Sequence, residues 1–99
     1  MARDRMIEKL QGLRSFVSVA RWGSVRAAAQ RSHYDPSTVR SHVRGLEHRL
    51  GLRLVRRRSG TSDGVLTPEG AQLAPEAERA VDAVDAVQSK AAIIADDEG

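Results

Sequence analysis

Two short stretches, "RWGS" at 21–24 and "HYDPST" at 33–38, cut the first fifty residues into three segments, each repeating apolar residues at helical spacing. A chain interrupted this closely cannot form one long helix, and steps of three and four are not the alternation that a half-buried sheet requires. It has to fold as short helices closed on one another. In the first segment Ile7, Leu10, Leu13, Phe16, Val17 and Ala20 line one helix face. Gly23 suits the stop and Ser24 the N-cap of a second helix over 25–31, whose Ala27, Ala28 and Ala29 allow close approach by a neighbour. Asp35 is expected to cap a third helix by accepting a backbone N–H, with Pro36 at the first helical position. Val39, Val43, Leu46 and Leu50 then face the core, up to a stop at Gly51.

After Gly51 the pattern changes period. "LRLV" alternates as a strand does, "RRRSGTSDG" carries two glycines and no apolar residue, and "VL" offers a returning strand. Three helices followed by a two-stranded β-hairpin make a mainly α winged helix-turn-helix, expected over residues 1–66. Thr67, Pro68 and Glu69 restart the chain as helix, with cap, first-turn proline and a carboxylate at the positive end of the helix dipole. Leu73, Ala77, Ala80, Val84, Val87, Ala91 and Ile94 follow at heptad spacing, so 67–95 reads as a linker and dimerisation helix and 96–99 as a frayed tail.

Charge divides the chain at the hairpin. Residues 1–58 hold 14 Lys or Arg against 4 Asp or Glu, a net +10, whereas 59–99 hold 2 against 9, a net −7. A basic domain with an acidic arm points to a polyanion for the first part and to another task for the second. With 99 residues and no cysteine, one small domain stabilised by packing or by a partner chain is expected. No run reaches the roughly 18 apolar residues of a membrane span, and "MARDRMIEKL" is too charged for a signal peptide, so a cytoplasmic protein without membrane contact is expected. His33, His42 and His48 lack the spacing of metal ligands, and no nucleophile and base are paired. The expectation is no enzyme, no metal and no cofactor.

The segments "LRSFVSVARWGSVRAAAQRSH", "LEHRLGLRLVRR" and "LTPEG", in this order and spacing, resemble the DNA-binding domain and linker helix of LysR-type transcriptional regulators. The resemblance spans about 10–87. It implies a dimeric, sequence-specific DNA binder whose linker helices pair antiparallel. The family's effector-binding domain, which follows that helix, has no counterpart in these residues, so no small-molecule effector is expected. The chain departs from the family pattern at Ser32, at Pro36 and Ser37, at Arg40 and at Val55, so its base preference is its own.

A recognition helix sets its N-terminal turns against base edges in the major groove, where Arg can bond guanine and Thr can touch a thymine methyl. Ser37, Thr38, Arg40, Ser41 and Arg44 are therefore the expected base readers, with Arg40 foremost. Ser24 and Arg26, at the second helix's start, suit a phosphate, and Arg56, Arg57 and Arg58 suit the backbone or minor groove beside a wing. The expected partner is double-stranded DNA, bound by a homodimer. Two other functions compete: a weakly specific architectural DNA binder, and an interaction module whose heptad helix pairs with a full-length relative.

Overall fold

A computed structural model describes residues 2–56 and 65–98, with side chains described for 9–56 and 66–97. Its elements run α1 (Ala2–Trp22), α2 (Val25–Ser32), α3 (Pro36–Leu50), β1 (Val55–Arg56), β2 (Val65–Leu66) and α4 (Pro68–Glu98). The strands pair antiparallel, Val55 opposite Leu66 and Arg56 opposite Val65. This is the winged helix-turn-helix with a long C-terminal helix that the sequence implies.

Local chemistry sets the helix ends. Gly23 takes a left-handed φ of 89° and donates its N–H to the Val19 carbonyl at 2.9 Å, which closes α1. Ser24 then caps α2 by accepting the Ala27 N–H at 3.0 Å. His33 ends α2 in the left-handed region at φ 61°, and Gly51 ends α3 at φ 70°. The start of α3 differs from expectation. No backbone N–H bonds to the Asp35 carboxylate; its two oxygens accept the hydroxyls of Ser37 at 3.0 Å and Thr38 at 3.4 Å. The backbone N–H groups of Thr38 and Val39 go to the Asp35 carbonyl instead. With Pro36 lacking an N–H, the two first-turn hydroxyls are the donors that claim the carboxylate.

Phe16, Val17 and Val19 from α1, Val25, Ala28 and Ala29 from α2, and Val39, Val43 and Leu46 from α3 form the core. Burying each large aliphatic contributes about 1.5–3 kcal/mol. Leu50, expected inside, is 47% exposed: it is the last residue of α3, one turn beyond the end of the core at Leu46. The side chain of Ile7 lies outside the described residues.

Leu54 closes the base of the wing. It is fully buried, and it lies before the strand rather than in it, because the Glu47 carboxylate accepts its N–H at 2.7 Å and that of Val55 at 3.1 Å. Thr67 binds the same segment from the other side. Its N–H donates to the Leu54 carbonyl at 3.0 Å, its hydroxyl donates to the Arg53 carbonyl at 2.5 Å, and that hydroxyl accepts the Gly70 N–H at 2.9 Å. A Cβ on Gly70 would collide with the Leu54 carbonyl, so only glycine lets α4 leave the domain at this angle.

The first half of α4 packs antiparallel on α1 through Leu73, Ala74, Ala77 and Val81. Arg14 reaches Asp85 at 2.7 Å and Arg21 approaches Glu78 at 3.7 Å. The heptad seam is thereby divided, because Leu73 and Ala77 are occupied by their own chain together with Val81, which the heptad omitted. Ala80, Val84, Val87, Ala91 and Ile94 form a separate outer stripe, half-buried at Val84 and exposed elsewhere, with Val87 at 69%. The helix continues through Pro75 and runs to Glu98, beyond the 67–95 span expected for it; Gly99 lies outside the described residues.

Candidate nucleic-acid interface

The side of α3 turned away from Val39, Val43 and Leu46 is polar. Ser37, Ser41, Arg44 and His48 recur at steps of four, three and four along it and all are exposed. Thr38 and Arg40 lie on opposite edges of this line and are half-buried. Arg40 is therefore a flank residue, while Arg44 stands on the exposed line. His48 belongs to the same line, and its spacing of seven from Ser41 was the sequence signal that marks it.

Asp35 also gains a place in the site. With its carboxylate free of backbone capping, it sits at the N-terminus of α3 and is exposed, where a carboxylate can accept the amino group of a cytosine. It orders Ser37 and Thr38 by accepting their hydroxyls, so these side chains are held before any ligand arrives. The sequence marks Asp35 as a cap, but the serine and threonine hydroxyls two and three residues on are rival donors to its carboxylate.

At the start of α2, the Ser24 hydroxyl accepts the Ala27 N–H and keeps its own hydrogen to donate. Arg26, in the same turn, is exposed. A helix N-terminus bearing a hydroxyl and a guanidinium is suited to a phosphate oxygen. Arg56 is exposed on β1, whereas Arg57 and Arg58 lie outside the described residues. Near the C-terminal ends of α1 and α2, the Arg31 guanidinium stacks 4.0 Å from the Trp22 ring centroid, which fixes one cation on the surface of the domain.

Among the described residues no group of three His, Cys, Asp or Glu is placed to hold a metal ion, and no helix is long and apolar enough to cross a membrane. What the arrangement offers is hydrogen-bond donors and positive charge around one exposed helix, which can bind a polyanion and discriminate base edges.

Known proteins share this arrangement. The bacterial regulatory helix-turn-helix protein family named lysR matches residues 10–71. A probable hydrogen peroxide-inducible genes activator of Mycobacterium xenopi is 42% identical over 83 residues, covering 84% of this chain and 43% of that protein. An OxyR mutant of Corynebacterium glutamicum superposes with a TM-score of 0.76 at 30% identity, covering 83% of this chain and 25% of that one. The BenM_DBD/catB site 1 DNA complex gives 0.73 at 29% identity, with 91% of this chain and 95% of that one covered. The chain thus spans less than half the length of the curated relative it matches, and nearly the whole of a DNA-bound domain. With the matched region running from α1 through both strands into α4, the chain belongs to the lysR family of bacterial regulatory helix-turn-helix proteins, which are DNA-binding regulators and not enzymes.

Proposed function

We propose that this chain is a sequence-specific transcriptional regulator that binds double-stranded DNA as a homodimer in the cytoplasm, with α3 in the major groove and α4 joining the two copies. The observation that carries this reading is the exposed line of Ser37, Ser41, Arg44 and His48 on a helix whose other side is locked into the core. The DNA-bound state of the BenM relative supports the docking of α3. The outer stripe of α4 supports the dimer: Val84, Val87, Ala91 and Ile94 are apolar, and all but the half-buried Val84 are exposed. Glu76, Glu78, Asp82 and Asp85 precede Lys90 along this helix, so an antiparallel partner sets carboxylates toward a cation, whereas a parallel one sets like charges together.

Binding-site selection from random duplexes, followed by titration of the selected and a scrambled duplex at one salt concentration, tests the reading. A regulator prefers the selected site by about a thousandfold or more and recovers paired half-sites separated by about one helical turn or a multiple. Equal affinity for both duplexes would favour the architectural binder. The same outer stripe also fits an interaction module; light scattering that found only monomers, with mixed dimers formed on adding a full-length relative, would favour that function.

A further inference from the structure

Serine hydroxyls stand at the start of both α2 and α3, and their hydrogen bonds give them opposite polarity. Ser24 accepts the Ala27 N–H and keeps its own hydrogen for a ligand. Ser37 gives its hydrogen to Asp35 Oδ1 at 3.0 Å, and Thr38 turns its own more loosely toward Oδ2 at 3.4 Å. The direction of these two bonds is fixed by chemistry, because a carboxylate only accepts. Each hydroxyl is left with lone pairs, and each carboxylate oxygen keeps a further acceptor position.

The backbone does little to offset this. Pro36 has no N–H, and those of Thr38 and Val39 go to the Asp35 carbonyl, so the Ser37 N–H is the donor that residues 36–39 retain. A helix N-terminus ordinarily presents donors and suits an anion. The start of α3 instead presents mainly acceptors, on Asp35 and Ser37, which are both exposed. Pro36 and Ser37 are also positions at which the chain departs from the family pattern, so this polarity belongs to the chain itself.

We infer that Asp35 and Ser37 are a specificity-determining acceptor pair that selects an exocyclic amine at one base in each half-site, cytosine first and adenine second, and rejects guanine and thymine there. The inference rests on α3 lying in the major groove with its first turn toward the base edges. In that groove cytosine shows only its N4 amine, adenine sets the N7 acceptor beside its N6 amine, and guanine and thymine show acceptors without a donor. Lone pairs facing lone pairs, with no hydrogen between them, disfavour the last two. The same carboxylate repels phosphates, so Asp35 sharpens sequence preference while lowering affinity for DNA in general.

Site selection and titration on the intact chain, with Asp35→Asn beside wild type, test this. Asparagine keeps the shape of the side chain and one acceptor oxygen, and replaces the other oxygen with a donor. At one position where wild type selects cytosine or adenine, the variant should accept guanine or thymine as well, its discrimination falling roughly five- to a hundredfold. Its binding to a scrambled duplex should tighten, and the rest of the selected sequence should stay the same. Ser37→Ala should weaken the preference at that position without abolishing it. The second probe needs no variant: 2-pyrimidinone in place of the selected cytosine, or purine in place of a selected adenine, deletes the amine alone. Wild type should lose affinity for that duplex by a similar factor, and Asp35→Asn should barely sense the change. An Asp35→Asn protein that returns the wild-type base at every position, binding selected and scrambled duplexes more tightly by one common factor, would overturn the proposal, since the carboxylate would then act on phosphates alone. Indifference of wild type to the missing amine would overturn it too. Failure of wild type to select any sequence is a distinct result, which would sink the reading of α3 itself.

Discussion

Gly70→Ala places one methyl group where α4 leaves the wing, and the structure sets the size of its effect. The added Cβ collides with the carbonyl of Leu54, a residue with no exposed surface that is held by Glu47 and Thr67, so neither side can move alone. Relief requires shifting the first turn of α4. Overpacking of this kind costs about 1–3 kcal/mol. Straining the Gly70–Thr67 and Thr67–Leu54 hydrogen bonds adds about 1 kcal/mol each, and the better helix propensity of alanine returns at most about 1. The net expectation is a loss of about 2–4 kcal/mol, a large part of the roughly 5–15 kcal/mol that stabilises a domain, and a Tm lower by roughly 10–20 °C. Gly45→Ala is the internal control. Among the described residues its Cβ would meet only the tip of Arg49 at 4.0 Å, so it should stabilise α3 by about 0.5–1 kcal/mol. Urea and thermal unfolding by circular dichroism, at one fixed protomer concentration, compare the two. A Gly70→Ala protein as stable as wild type, or a Gly45→Ala protein destabilised as much, would refute this account of the α4 junction.

Arg44→Ala should cost about 1–3 kcal/mol on the selected site and relax one base position, and Arg40→Ala, on the flank, should alter the selected sequence less; site selection with each variant measures both. Glu47→Ala leaves the N–H groups of Leu54 and Val55 without their acceptor and should cost about 2–3 kcal/mol in urea unfolding, with Glu47→Gln costing less because it keeps an acceptor oxygen. Val84→Asp with Val87→Asp should give folded monomers by light scattering that bind a single half-site normally and a paired site far more weakly. The same pair introduced without change in the association state would remove the outer stripe from the proposed dimer interface. Arg57→Ala with Arg58→Ala should leave the selected sequence intact and reduce the salt slope by about one for each phosphate that the two arginines neutralise in wild type.

Most of the architecture is legible in the sequence because it is decided within a few residues. The N-cap of Ser24 on Ala27, the left-handed stop at Gly51 and the Thr67–Gly70 turn each join groups no more than four residues apart, and the three- and four-residue spacing of apolar side chains names the buried face of each helix. The exposed positions of Ser37, Ser41 and Arg44 follow from that same spacing, as the side of α3 opposite Val39 and Val43.

What the sequence left open are the choices between partners of similar chemistry. Asp35 could accept backbone or hydroxyl hydrogens, Glu47 could meet an arginine or the backbone beyond Gly51, and Leu50 stood in phase with the core but one turn past its end. The clearest case is α4, which carries two overlapping apolar stripes. Leu73, Ala77 and Val81 go to α1 of the same chain, with Arg14 and Arg21 reaching Asp85 and Glu78, whereas Ala80, Val87 and Ala91 stay exposed. Helical periodicity states that a stripe will be buried but not against what. That depends on where Gly70, seated on the Leu54 carbonyl, aims the helix, and the contact between them joins residues sixteen apart, a separation over which local pattern carries no information.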